Sequence, residues 1–322
     1  MFKKLLCILF FTASLSFAES DLTDNWFPLP SSNNFFLKNH EKYARLLWAF
    51  DYGHSLIYER LWKNTLAGDY DFSAIEGSTP DAEGTILAKV LGILANPPKQ
   101  SPSEETLSPN FNNDFSQLMD IFKWTHKLHW VVYDIISAEK EVDAKKLLKQ
   151  QIEEAFQRYP TLTVSTKCKS MMDFMEKFGK YSMSFRRNAK AANGLIWAYH
   201  YYQLAIYDGL MLPAGKQRED AISKVYKTFQ KMAEDPANNV TQMPMARKVS
   251  PNFYKTYPEL AAIFDNLHEL HDVVGDILTD DTFLTTPEEK KKEMKRAINA
   301  IQDNTSYLID CDKNGHDDKP AK

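Results

Sequence analysis

Apolar residues recur at three- and four-residue steps through most of this chain, and in four stretches the apolar stripe also carries histidine, tyrosine and carboxylate. From Asn39, the positions Tyr43, Leu46, Leu47, Phe50, His54, Ile57, Tyr58 and Leu61 share one stripe and predict a helix to about residue 66. The same period predicts helices over about 81–96, 113–138, 142–159, 167–181, 189–211, 217–233 and 259–278. A last helix is expected from Pro287 to about 309, because Thr286-Pro287-Glu288-Glu289 places proline and acids in a first turn. Gly68 to Pro80 reads as a turn, the stretch from Pro97-Pro98 to Pro109 as a long polar loop, and 235–257 as irregular under its prolines. No strand-like alternation stands out. The expected fold class is all-α, a large helical bundle of four inward-facing motif helices with supporting helices between them.

The four motif helices carry related sequences: Asp51 to Glu59, His126 to Asp134, His200 to Asp208 and His268 to Asp276. Each begins with His or Asp, has His or Gln three residues later, usually Tyr at the eighth position, and Asp or Glu at the ninth. At ~100° per residue the first, fourth and eighth positions share a face, and the ninth lies at its edge. His54, His129, Gln203 and His271 recur at intervals of roughly 70–75 residues, which suggests four quasi-repeats. Six of the eight histidines in the chain lie on these faces, so they are expected inside the bundle.

Buried imidazoles and carboxylates need partners, since an unpaired buried charge costs several kcal/mol. One arrangement is convergence on one or two metal ions, with histidine nitrogens as donors and carboxylates neutralising charge. The candidate ligands are His54, His126, His129, His200, His268 and His271, with Asp51, Glu59, Asp134, Asp208 and Asp276 as further ligands or orienters. A donor set without thiolate points to Fe, Mn, Zn or Cu(II), and a bis-histidine b-type haem is a further option. A redox metal there would suit an oxidoreductase. The other arrangement is a metal-free polar seam, either satisfied internally or lining a pocket for an organic ligand or a partner segment.

Asp51-x-x-His54 resembles the Glu-x-x-His of ferritin-like bundles, and His129-x4-Asp134 and His271-x4-Asp276 resemble the His-x4-Asp of hemerythrin-like bundles. The histidine pairs 126/129 and 268/271 have a three-residue step foreign to the second family. Glu-x-x-His does not occur twice as the first requires, so no residue roles carry over.

Composition adds a compartment. Lys3 and Lys4, the apolar run Leu5 to Leu15 and Ser16-Phe17-Ala18 read as a signal peptide cleaved after residue 18, leaving an exported periplasmic or secreted chain. The run is shorter than the ~20 residues a membrane span needs, and no second one follows. The expected divisions are this leader, an extended lead-in over 19–38, a helical domain over 39–309 and an acidic tail over 310–322. Without the leader, Cys168 and Cys311 remain and could pair. Asp310 to Asp318 starts like a calcium loop but lacks the closing glutamate, Ala321 standing there. The net charge of −4 gives no basic excess for nucleic acid, and the nature of any small-molecule or protein partner is open. No Gly-rich phosphate loop, Gly-x-Ser-x-Gly elbow or His-Glu-x-x-His pair is present, which lowers the weight of those enzyme classes.

Overall fold

The computed structural model describes residues 35–76, 85–138, 144–178 and 180–312. The expected leader, most of the lead-in and the calcium-like stretch beyond Asp312 lie outside the described residues. In chain order the helices are α1 (Phe35–Ala67), α2 (Ser73–Glu76), α3 (Ile86–Ala95), α4 (Glu104–Leu107), α5 (Pro109–Asp114), α6 (Ser116–Ser137), α7 (Ala144–Arg158) and α8 (Met171–Phe178). They continue as α9 (Ser184–Asn188), α10 (Lys190–Leu210), α11 (Lys216–Glu234), α12 (Pro236–Asn239), α13 (Ala246–Val249), α14 (Pro251–Thr256), α15 (Pro258–Thr279) and α16 (Pro287–Gln302). An isolated antiparallel bridge between Lys169 and Leu308 is the only extended pairing among the described residues. The fold is all-α.

The four helices with the recurring motif, α1, α6, α10 and α15, each touch the other three and form the central bundle. α10 and α15 are buried on nearly all sides, so other helices must cover them. α11 and α12 lie on α10, α9 and α16 on α15, α3 on α1, and α7 on α6.

Several boundaries differ from expectation: α2 stands within the expected turn 68–80, and the helix expected over 167–181 is confined to α8 (Met171–Phe178). α1 begins at Phe35, inside the expected lead-in, and bends at His40 (φ −139°, ψ 40°). The polar loop and the proline-rich 235–257 contain the short helices α4, α5, α12, α13 and α14. Pro109, Pro236 and Pro251 sit in their first turns, where a missing N–H sacrifices no helical bond. Finally, α16 stops at Gln302, and the chain beyond it runs against residues 165–170. There Ser170 N–H donates to Tyr307 O at 2.9 Å, Ile309 N–H donates to Cys168 O at 3.0 Å, and Cys168 is disulfide-bonded to Cys311. The pair spans 143 residues, a loop length at which a disulfide removes much entropy from the unfolded chain, commonly ~2–5 kcal/mol.

A phenylalanine packs beside the eighth motif position of each bundle helix. Phe111 lies 5.6 Å from the ring of Tyr58, Phe36 5.2 Å from Tyr133, and Phe253 4.0 Å from Tyr207. In α15 that position is Gly275, and the Phe185 ring occupies the space its Cβ would take. Gly275→Ala is therefore expected to destabilise by ~1–3 kcal/mol through overpacking. Denaturant titration should show much of that loss recovered in the double variant with Phe185→Leu; purely additive effects would contradict the packing conflict.

Candidate metal centre

The first and fourth motif positions meet along the bundle axis. His54 on α1 has its ring 4.4 Å from that of His271 on α15 and 5.7 Å from that of His126 on α6, and His126 and His271 are 5.3 Å apart. These three offer ring nitrogens that all lie within 4.8 Å of one another, so His54, His126 and His271 could hold a metal ion. His200 on α10 adjoins both His54 (5.7 Å) and His271 (5.2 Å), and it stacks on His268 at 4.0 Å. His268 leads on to His129 at 5.6 Å. All six predicted histidines thus form one contiguous group.

Asp51 joins this group. Its Oδ1 lies 3.2 Å from His126 Nδ1, and Asp51, Glu104 and His126 form a second set of donors within 4.8 Å. Glu104 was not foreseen; it enters from α4, in the stretch expected to be a polar loop. Burial decides the protonation of this corner. Desolvation raises Asp51 well above the ordinary carboxylate range, with Glu104 adding repulsion. Burial pushes Glu104 up to about 7 despite Lys123, and lowers His126 to about 4. Burial thus works against the charged forms of both Asp51 and His126, and so against an ion pair between them. His54, His129, His200, His268 and His271 are all held well below 6.5, first by desolvation and then by neighbouring imidazoles.

The ninth-position acids do something else. Glu59 accepts from the backbone N–H of Asn110 and Phe111, both at 3.0 Å, and Asp208 from those of Asn252 (3.2 Å) and Phe253 (2.9 Å). Asp134 accepts from Phe36 N–H at 2.9 Å, and Asp276 from Met183 (2.8 Å) and Phe185 (2.7 Å). Each holds the start of a short helical segment and, through it, the phenylalanine described above. At the edge of the motif face these acids point to neighbouring backbone, whereas Asp51, at a first position, points to a histidine.

Further polar groups orient the cluster. Tyr207 Oη is 2.7 Å and Tyr133 Oη 3.2 Å from His129 Nδ1. Tyr58 donates to the backbone carbonyl of His271 at 3.0 Å, and Asp272 accepts from Asn193 and Trp197. A pairing of halves also went unread in the sequence. Ser-Pro-Asn-Phe occurs twice, at Ser108–Phe111 and Ser250–Phe253. One constant offset in numbering carries Phe111, Phe122, His126, His129 and Asp134 onto Phe253, Phe264, His268, His271 and Asp276. Another carries Phe36, His54, Tyr58 and Glu59 onto Phe185, Gln203, Tyr207 and Asp208. The packing follows suit: the Phe122 ring lies 4.2 Å from that of His271, and the Phe264 ring 3.6 Å from that of His129.

Apart from His129 Nδ1, no ring nitrogen of the six histidines has a hydrogen-bond partner among the described residues, although all are buried. At ~1 kcal/mol for each unsatisfied polar atom, this cluster costs on the order of 10 kcal/mol, comparable to the net stability of a domain. Aromatic pairing returns ~0.5–1.5 kcal/mol per contact and leaves the nitrogens unpaired. A donor set of this kind is satisfied by a cation.

No protein-family model matches the chain, nor does any curated protein or solved structure.

The lowered imidazoles make a signed prediction for the chelator-treated protein. His126 binds its proton near 6.5 when unfolded and near 4 when folded, so unfolding takes up a proton between those values. Its stabilising contribution is complete above about 6.5 and declines as pH falls towards 4, by up to ~1.4 kcal/mol per pH unit. His126→Gln should flatten the dependence of unfolding free energy on pH by about one proton across this window, measured by denaturant titration. An unchanged slope would mean that the folded protein already carries a charged imidazole there.

Proposed function

We propose that this chain is an exported metalloprotein that holds a first-row transition ion on His54, His126 and His271. The observation that carries the reading is the convergence of three buried, otherwise unpartnered imidazoles from three different bundle helices, with donor atoms within 4.8 Å. Asp51 supports it: its Oδ1 lies 3.2 Å from His126 Nδ1, close enough that it would take the ring N–H once the other nitrogen ligates, which raises the imidazole's basicity and fixes its orientation. The ion's charge would favour the ionised form of Asp51, which burial alone disfavours. Glu104 would be a further carboxylate in reach of the same corner.

Imidazole-dominated donors suit Zn, Cu and Fe, and the two carboxylates extend the range to Mn. Three histidines on one ion leave a position for an exogenous ligand, as in reactive rather than purely structural sites. A redox-active ion would supply oxidoreductase chemistry, and zinc would polarise a bound water. The close ring packing, 4.0–5.7 Å through the cluster, favours a bare ion over a b-type haem, which needs a slot for a flat macrocycle. It equally disfavours an organic ligand within the seam. A surface depression of about 740 Å³ is lined by Asp173, Glu176, Lys177, Ser306 and Tyr307, none of them part of the histidine cluster. Export is supported by the Cys168–Cys311 disulfide, which suits an oxidising compartment. No helix among the described residues is long and apolar enough to cross a membrane.

Elemental analysis of the purified protein is expected to show stoichiometric transition metal, with the ion on this ligand set lost in His54→Gln/His271→Gln while far-UV circular dichroism stays helical. Full metal content in that double variant would refute the ligand set. Asp51→Asn should keep the metal but weaken its affinity ~10–100-fold, as loss of such an orienting partner does; unaltered affinity would remove Asp51 from the site.

A further inference from the structure

The correspondence between the two halves has a consequence for the remaining histidines. The offsets that relate α1 and α6 to α10 and α15 carry His54, His126 and, in the reverse direction, His271 onto Gln203, His268 and His129. The ring separation of His268 and His129, 5.6 Å, repeats that of His126 and His271, 5.3 Å. At the place of Asp51 stands His200, and it packs on His268 at 4.0 Å as Asp51 lies against His126. Both nitrogens of His200 and His268, His129 Nε2 and Gln203 Oε1 are buried without partners. The other nitrogen of His129 is engaged by Tyr207 and Tyr133, so one ring position is oriented and the other left as a donor.

We propose that His129, His200 and His268, with Gln203 one turn from His200, draw together on a second cation, making the bundle core a two-ion centre; their nitrogens stand farther apart than those of the first set, with His268 between the other two rings. This rests on the first site being a metal site as proposed above. The two positions differ in character. The first has Asp51 and Glu104 at hand; in the second half the offset places His200 at the position of the former and Ala246 at that of the latter. A donor set of neutral imidazoles and an amide selects zinc or copper over hard, carboxylate-seeking ions such as Mg²⁺, Ca²⁺ or Mn²⁺. His200 and His271, 5.2 Å apart, put the two positions in ring contact, so occupancy of one is expected to be felt at the other.

Zinc is the probe. The full, disulfide-bonded chain, produced in zinc-supplemented medium and desalted, should carry two equivalents of Zn²⁺ by elemental analysis. His129→Gln/His268→Gln should retain one, as should His54→Gln/His271→Gln. One equivalent in the wild type, unchanged in His129→Gln/His268→Gln, would overturn the second site and leave the first standing. No zinc in the wild type would overturn the second site, and no transition metal of any kind would overturn both. If the His129/His268 variant fails to fold by circular dichroism, Gln203→His decides, since it adds the imidazole that His54 supplies in the first half. It should tighten the second equivalent at least ~10-fold against a competing chelator without altering the first; an unaltered second equivalent would overturn the proposal.

Discussion

The structure depends on one costly act, the placing of six imidazoles inside a bundle otherwise built from large apolar side chains. Tyr58, Tyr133, Tyr199, Tyr202, Tyr207, Trp124 and Phe122 are fully or almost fully buried around them. In such surroundings a charged imidazole is suppressed, as the lowered values of all six show. A neutral imidazole with unpaired nitrogens remains expensive. Aromatic packing leaves the nitrogens unpaired, whereas a cation would satisfy several of them at once. Each of the four helices brings only one or two of these donors to the axis, so a set of three such as His54, His126 and His271 needs three helices.

Around this centre, roles divide by angular position along each helix. First and fourth positions face the axis and carry His, Asp51 or Gln203. The eighth position carries a tyrosine or, at Gly275, makes room for Phe185. The ninth carries the carboxylate that accepts backbone N–H groups from a neighbouring segment. A short stretch of sequence therefore does two jobs, presenting a donor inward and fastening the next layer outward. The fastened segments, α5, α9, α14 and the first turn of α1, each place a phenylalanine against the bundle. These acids, Glu59 and Asp276 buried and Asp134 and Asp208 half-buried, are engaged by backbone N–H groups of the neighbouring layer.

Much of this was readable in the sequence. The all-α class, the four bundle helices and the inward histidines follow from the 3.6-residue period and from polar residues standing on apolar faces. Less was readable where partners are distant in the chain. The ninth-position acids look like ligands on a helical wheel, and only tertiary structure shows Asn110, Phe36, Asn252 and Met183 meeting them. Glu104 stood in a stretch of prolines and serines whose short helices are too brief to carry a periodic signal. The prolines of 235–257 look like breakers in sequence, although Pro236 and Pro251 start helices. The twofold pairing of halves was present in the doubled Ser-Pro-Asn-Phe, but the fourfold recurrence of the histidine motif masked it.

The central claim is that the axis of the bundle is a coordination site. X-ray diffraction from crystals of the purified protein, collected above and below the absorption edge of the metal found in it, tests this most directly. The account predicts an anomalous peak among the imidazoles of His54, His126 and His271, within ~2.0–2.2 Å of a nitrogen from each. A featureless anomalous map there, with the ring nitrogens hydrogen-bonded to ordered water or to one another, would contradict it.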